Sequence, residues 1–419
     1  MQYNNVGQKM SLGFSKIDRL RFALSYFICS LLWMSGLGMI GSVLLPQHLK
    51  DIVGGTKATA IFGLINAISA VVSLIANLVF GNLSDRTRSR FGQRTPWIIG
   101  GGLVGGISLF LSGVFTNIWA MGIFYCICML GLNAIVAPVI ATMSDRIPKD
   151  ARATMSAFNS AGITIGTSVG TLLGAHFISV QIPGFAAAGI LMAFAGIATI
   201  IVWPSEQSSE NMQPVEGGLK EFVFSFRPPI KGARDFWLAF VGRSLLLFSY
   251  YMILNYQLYI LEMYIGQSKQ AAAKTISIMS VIIMVVGLVG SLASGAISDK
   301  IGRRKLPVIC ASCLLAIGYL IPWVFRTATS MLFFAGFAGL GFAVYGAVDQ
   351  ALNVDVLPSR SNAGKDLAIL NIATTLGQTA GPIVASALVS VAGYKLVFPV
   401  AIIFAIIACA FIQLIRSIK

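Results

Sequence analysis

The sequence predicts an all-α membrane protein with twelve transmembrane helices in two pseudo-symmetric six-helix bundles, and three observations carry that reading. The 419 residues are 56% hydrophobic and 11% charged, against roughly 25% charged in an average soluble domain. Apolar runs of about 20 residues, enough for a helix to cross a bilayer, recur along the chain. The loops of the two halves also repeat. Gly81-Asn-Leu-Ser-Asp85-Arg86 after the second run is matched by Gly295-Ala-Ile-Ser-Asp299-Lys300 after the eighth, and Asp145-Arg-Ile-Pro148 after the fourth by Asp355-Val-Leu-Pro358 after the tenth. A water-soluble globule is excluded, and a parallel duplication about an axis along the membrane normal fits.

Taken in order, the apolar runs place spans one to six at about 20–45, 58–82, 96–116, 118–143, 153–180 and 185–203. The opening MQYNNVGQKMSLGFSKIDRLR is too polar for a cleaved signal, so span one acts as the insertion signal. Residues 204–233, rich in Pro, Gly and Ser, read as a cytoplasmic linker with one short surface helix over Leu219–Phe226. Spans seven to twelve follow at about 235–264, 275–297, 307–325, 330–356, 367–391 and 394–415. The bundles therefore occupy 1–203 and 234–419.

The net charge of +15 follows the same pattern. With the N-terminus on the cytoplasmic side, 23 of the 30 Lys and Arg fall in cytoplasmic segments. The opposite loops hold Lys50, Lys57, Lys269, Lys274, Arg326 and Lys395, and Arg243 lies within a span. This is the positive-inside bias, which puts both termini in the cytoplasm and the chain in a cell inner or plasma membrane. The charge reports orientation in the bilayer, with no nucleic-acid partner implied. Asn82-Leu-Ser84 has the glycosylation pattern but lies on the cytoplasmic side.

Enzyme chemistry finds little support. The six cysteines all fall in apolar runs, Cys310 and Cys313 have CxxC spacing without His or acid nearby, and His48 and His176 are far apart. No metal site, cofactor, catalytic triad or nucleotide motif is expected.

The loops GNLSDRTRSRFGQRTPW and GAISDKIGRRKLP share a design. A glycine (Gly81, Gly295) allows close helix contact, an acid (Asp85, Asp299) follows four residues later, and a basic cluster (Arg86 and Arg94; Arg303 and Arg304) opens the next helix. With Asp145 and Asp355 these residues form an expected cytoplasmic gate. Both loops resemble the signature loop of the major facilitator superfamily, a likeness that the repeat and the central linker extend over the whole chain. The longer first loop, together with Val348–Pro358 and Gly364-Lys365-Asp366, resembles the glycoside and sucrose-type proton symporter branch.

That resemblance implies alternating-access transport of a small-molecule substrate, here a glycoside or oligosaccharide, with protons, by a monomer in the lipid bilayer. It also has gaps. Sucrose-type members carry an Asp and an Arg in span four, where this chain keeps only Asn133 and Pro138 and places Met129 and Ile140 at the expected charged positions. Span two has Asn66, Asn77 and Asn82 but no carboxylate between Ala58 and Ser84, so the sodium site of melibiose-type relatives is not expected. A proton-coupled exporter of amphipathic drugs, lipids or metabolites is the alternative, and a transport-inactive sensor a third reading.

Charge inside the bilayer is costly and marks function. Arg243 lies about eight residues into span seven and Asp349 six residues before Asp355 in span ten, both on the order of 10 Å deep. The resemblance places these spans on one cavity, so an Arg243–Asp349 pair is expected, either as a proton carrier centred on Asp349 or as a permanent bridge. Helical spacing adds Tyr250 and Gln257 on span seven and Phe342 and Tyr345 on span ten, aromatic and hydrogen-bonding groups suited to a polyhydroxylated ligand. Trp33 and Asn133 are the expected cavity residues of the first half. Glycines at four-residue steps, Gly162 to Gly174 in span five and Gly377 and Gly381 in span eleven, are expected at the contact between halves, although ordinary close packing is the competing reading.

Overall fold

A computed structural model describes residues 15–210, 229, 233–301, 305–358 and 363–416. Every regular element among them is helical. Span one is Lys16–Met39, span two Gly55–Arg86, span three Thr95–Val114, span four Ile118–Asp145, span five Lys149–His176 and span six Gln181–Val202. Span seven is Arg234–Leu254, span eight Lys269–Ile301, span nine Lys305–Val324, span ten Ala328–Asp355, span eleven Ala363–Ala392 and span twelve Val397–Gln413. The surface helix expected over Leu219–Phe226 lies outside the described residues.

Among the described residues, eleven helical stretches are long and apolar enough to cross a membrane. Span five is the helix left out, because its 28 residues are diluted with Gly, Ser and Thr. Its glycines explain that composition. A Cβ on Gly162 would sit 2.5 Å from the Phe27 carbonyl oxygen, on Gly166 2.6 Å from that of Leu31, and on Gly174 2.7 Å from that of Met39. Each is closer than a Cβ can come, so the stripe lets the backbones of spans five and one touch. Gly377 and Gly381 of span eleven meet Leu247 and Phe248 of span seven in the same way. The expectation that these stripes face the other half is therefore corrected: their nearest neighbours belong to their own half.

The chain divides into two compact units, one of residues 1–44 and 68–217, the other of 45–67 and 218–419. In the first, span one packs on spans five and six, and span three on spans four and six. In the second, span seven packs on spans eleven and twelve, and span nine on spans ten and twelve. The four pairings correspond one for one, so the sequence repeat is also a repeat of packing. One pairing differs: span eight lies along span ten, whereas span two makes few backbone contacts with span four.

Local chemistry sets the ends. Ser15 and Asp18 form a reciprocal capping box at the start of span one. A π turn over Ile40–Leu44 carries span one into a further helix, Leu45–Val53, and the run ends at Gly54, whose φ of +80° is left-handed. The 38 residues Lys16–Val53 measure about 57 Å, well beyond a hydrocarbon core of about 30 Å. The last helix of that run, Leu45–Val53, belongs to the second unit.

Candidate functional site

In the second unit, spans seven and ten bring together the expected charges. Arg243 Nη1 lies 3.1 Å from Asp349 Oδ2, with side chains 7% and 6% exposed. The same Oδ2 accepts a hydrogen bond of 3.1 Å from Asn353 Nδ2, one turn further along span ten, and Tyr345 lies one turn earlier on the same helix. A buried pair of this kind costs desolvation on both sides and survives only where further groups share the charge. Asn353 was not singled out by sequence; its place four residues after Asp349 was the available signal.

Two turns deeper, about 10 Å along both helices, Tyr250 and Phe342 stack with ring centroids 4.1 Å apart and planes 10° apart. Tyr251 meets both rings edge-on, and its hydroxyl accepts a 3.1 Å hydrogen bond from Gln378 of span eleven. The arrangement is a flat aromatic wall above an ion pair.

Gln257 departs from this face. Its seven-residue spacing from Tyr250 presumes one continuous helix, but span seven stops at Leu254 and the chain turns at Asn255 and Tyr256. Gln257 opens a three-residue helix that passes into a π turn, Ile260–Tyr264. The side chain is buried, but the interrupted helix removes the periodicity that aligned it with Arg243.

That broken stretch builds a cluster that the sequence reading missed. Tyr256 donates to the carbonyls of Thr59 and Pro382, and Tyr259 to that of Pro46. The Thr59 and Tyr394 hydroxyls are 2.9 Å apart. Lys50 Nζ meets Glu262 Oε2 at 2.5 Å, and Lys269 Nζ meets Asp51 at 3.2 Å. The Glu262 side chain is 1% exposed. Burial pushes the Tyr256 and Tyr259 hydroxyls well above their ordinary range, which keeps both as neutral donors. These contacts hold the helix Leu45–Val53 and the start of span two to the segment after span seven and to spans eight and eleven. An acid within the apolar run Tyr259-Ile-Leu-Glu262-Met-Tyr264 was the signal for it.

In the first unit, Asn133 is buried and fully engaged. Its Nδ2 donates to Ser73 Oγ and to the Met129 carbonyl, and its Oδ1 accepts from Asn77. It ties span four to span two. Trp33 lies half-buried on span one.

The first loop of the expected gate is assembled around Arg94. Its Nη2 reaches Asp85 at 2.5 Å and Asp145 at 2.7 Å, and its Nη1 donates to Ser84 at 2.5 Å. Burial pulls the guanidinium down, but the hydrogen bond and charge of Asp145 and the charge of Asp85 outweigh it and leave its pKa raised. Glu206, at the start of the linker, accepts from the backbone N–H groups of Gln93, Arg94 and Thr95 and from the Thr95 hydroxyl. A carboxylate is thereby placed on the positive end of span three. Gly92 suits that approach: its φ is +94° and a Cβ there would collide with Glu206.

Gly81 does not serve as expected, since a Cβ on it would meet nothing within 4 Å. Arg86 is exposed at the end of span two, and Asp355 at the end of span ten. Of the second loop, Gly295 and Asp299 fall in the last turns of span eight, and Arg303 and Arg304 lie outside the described residues.

Comparison with known proteins agrees with this architecture. A lactose permease of Lactobacillus delbrueckii subsp. bulgaricus is 24% identical over 390 residues, covering 81% of this chain and 60% of the relative. An uncharacterised symporter of Synechocystis is 25% identical over 187 residues, 40% of this chain and 34% of the relative. The chain thus spans less than two thirds of the length of either. Among solved structures, the nucleoside transporter NupG superposes with a TM-score of 0.73 at 15% identity, covering 94% of this chain and 100% of that one. A bacterial homologue of the lysosomal transporter Spinster, inward-facing and unoccupied, gives 0.71 at 16%, covering 96% and 98%. At these identities the likeness is one of fold. The sequence profile of the Major Facilitator Superfamily matches residues 23–257 and 243–418, nearly the whole chain, and this multi-pass membrane protein therefore belongs to that family of transporters.

Proposed function

We propose that this chain is a secondary active transporter working by alternating access, coupling proton movement to symport of a small polar solute such as a glycoside or oligosaccharide. The observation that carries the reading is the buried Arg243–Asp349 pair two turns below the Tyr250–Phe342 stack, a carboxylate on the same two helices as aromatic rings of the kind that suit a sugar. The lactose permease and the symporter among its relatives favour the same direction.

In this reading Asp349 takes up a proton, its hold on Arg243 loosens, and the guanidinium becomes available to substrate hydroxyls. Tyr250, Phe342 and Tyr345 contribute the second-half wall and Trp33 the first-half one, while Gln257 lies off this face and Asn133 is held by Ser73, Asn77 and Met129. The bundles 1–203 and 234–419, joined by the linker 204–233, act as the moving bodies of a monomer in the inner or plasma membrane, with both termini cytoplasmic. The Arg94 cluster gates the cytoplasmic side with Asp299, Arg303, Arg304 and Asp355, and the Lys50–Glu262 cluster clasps the other.

The test is a thermal-shift screen of the purified protein against mono- and disaccharides, glycosides and lipophilic cations at pH 5.5 and 7.5, followed by uptake into proteoliposomes under an imposed pH gradient. A ligand at 100 times its dissociation constant adds about 2.7 kcal/mol of stability. Stabilisation by one sugar that changes with pH, and uptake that collapses with the gradient, is the expected result. Stabilisation by amphipathic compounds alone would overturn symport in favour of export.

A further inference from the structure

On the first unit, spans two, three and four bound a groove of about 460 Å³ that the transport reading does not use. It exists because span two stands off from span four, where the corresponding span eight lies along span ten. Span two is tied to span four through Ser73 and Asn77 to Asn133, and to the start of span three through Phe80 to Trp97 and through Ser84 and Asp85 to Arg94. Gly100, Gly131 and Ala134 leave a shallow floor between the helices, and Phe80 and Trp97 rings form a wall.

The chemistry of this groove selects its occupant. Its one hydroxyl, on Thr87, already accepts from Trp97 Nε1 at 2.7 Å and donates to the Leu83 carbonyl at 2.8 Å. A polar solute therefore finds no partner there, whereas an alkyl chain needs none. Along span three the lining runs from Pro96 to Val104, about 12 Å of helix, close to the about 15 Å that one leaflet contributes to a 30 Å core. At the cytoplasmic end, Thr87 sits between Arg86 and Arg88, with Arg90 close behind. Arg86 and Arg90 are exposed.

We propose that this groove holds one acyl chain of an anionic phospholipid of the cytoplasmic leaflet, with its phosphate on the Arg86–Arg90 segment. The site depends on the orientation of the chain in the bilayer and not on the identity of the transported solute.

Native mass spectrometry of the full-length protein, titrated with phosphatidylglycerol or with phosphatidylcholine of the same chains, tests it. Wild-type protein is expected to retain phosphatidylglycerol more tightly. At Gly100 a Cβ would meet nothing within 4 Å, so Gly100→Leu occupies groove volume without displacing a neighbour and is expected to remove the tightest-bound lipid. Arg86→Gln with Arg90→Gln is expected to weaken phosphatidylglycerol roughly fivefold per arginine and leave phosphatidylcholine unchanged. Wild-type lipid retention by Gly100→Leu would overturn the groove as the chain's site, including the case in which the arginine variants alone lose lipid. Equal binding of the two lipids, unaffected by the arginine changes, would overturn the anionic headgroup. Unfolding temperatures of all variants serve as the folding control.

Discussion

Replacing Lys50 by methionine keeps an aliphatic side chain and deletes the charge that faces Glu262 at 2.5 Å. With only 1% of its side chain exposed, Glu262 then has no counter-charge and little water. Breaking a buried pair by removing one partner leaves an uncompensated buried charge, which costs about 3–5 kcal/mol. Glu262→Gln is expected to be milder, about 1 kcal/mol, because Lys50 is 30% exposed and its ammonium reaches water. The double variant should recover most of the loss. Unfolding in detergent, followed by intrinsic fluorescence, reads this out at about 2–4 °C per kcal/mol for a unit of this size. Lys50→Met should therefore melt roughly 6–20 °C below wild type. A Lys50→Met variant that melts with wild type would refute the reasoning, as would a Glu262→Gln variant as damaged as Lys50→Met.

Asp349→Asn should abolish substrate accumulation driven by a pH gradient while leaving exchange of internal for external substrate; unchanged gradient-driven uptake would remove Asp349 as the proton carrier. Tyr250→Ala deletes one ring of the 4.1 Å stack with Phe342 and should weaken ligand affinity roughly 2- to 13-fold, the equivalent of the about 0.5–1.5 kcal/mol that one aromatic contact contributes beyond its buried area; equilibrium binding checks it. Glu206→Gln removes the charge that faces three backbone N–H groups at the start of span three and should lower stability by about 1 kcal/mol, read as a melting shift of a few degrees. Gly166→Val drives a side chain into the Leu31 carbonyl and should cost about 1–3 kcal/mol, visible as lower yield and melting temperature.

Much of the fold was legible because its causes are local in sequence. Runs long enough to cross a bilayer, small residues at four-residue steps and arginines kept to one side are each read from neighbouring positions. The Arg243–Asp349 pair was legible for a related reason: a charge in an apolar run must find an opposite one, and few are available. Spacing failed where the helix did. Gln257 was aligned with Arg243 and Tyr250 by counting sevens, but the turn at Asn255 and Tyr256 breaks the count. Gly81 looked like a packing glycine and has open space beside it, since a loop motif does not say which of its residues meets a neighbour.

What the sequence by itself determined is therefore the membrane class, the number and order of the helices, their duplication and the rarity of buried charge. Apart from the Arg243–Asp349 pair, only the tertiary structure decided partners across long separations. Glu206 caps a helix that begins 111 residues earlier, Lys50 finds Glu262 across 212 residues, and Tyr256 closes on Thr59 across 197. The glycine stripes face spans one and seven rather than the opposite half for the same reason. Hydropathy says that a surface is hidden from water, but in a bilayer lipid and protein are equally apolar. Which surface meets which is left to close packing and to the few hydrogen bonds that no single helix can satisfy alone.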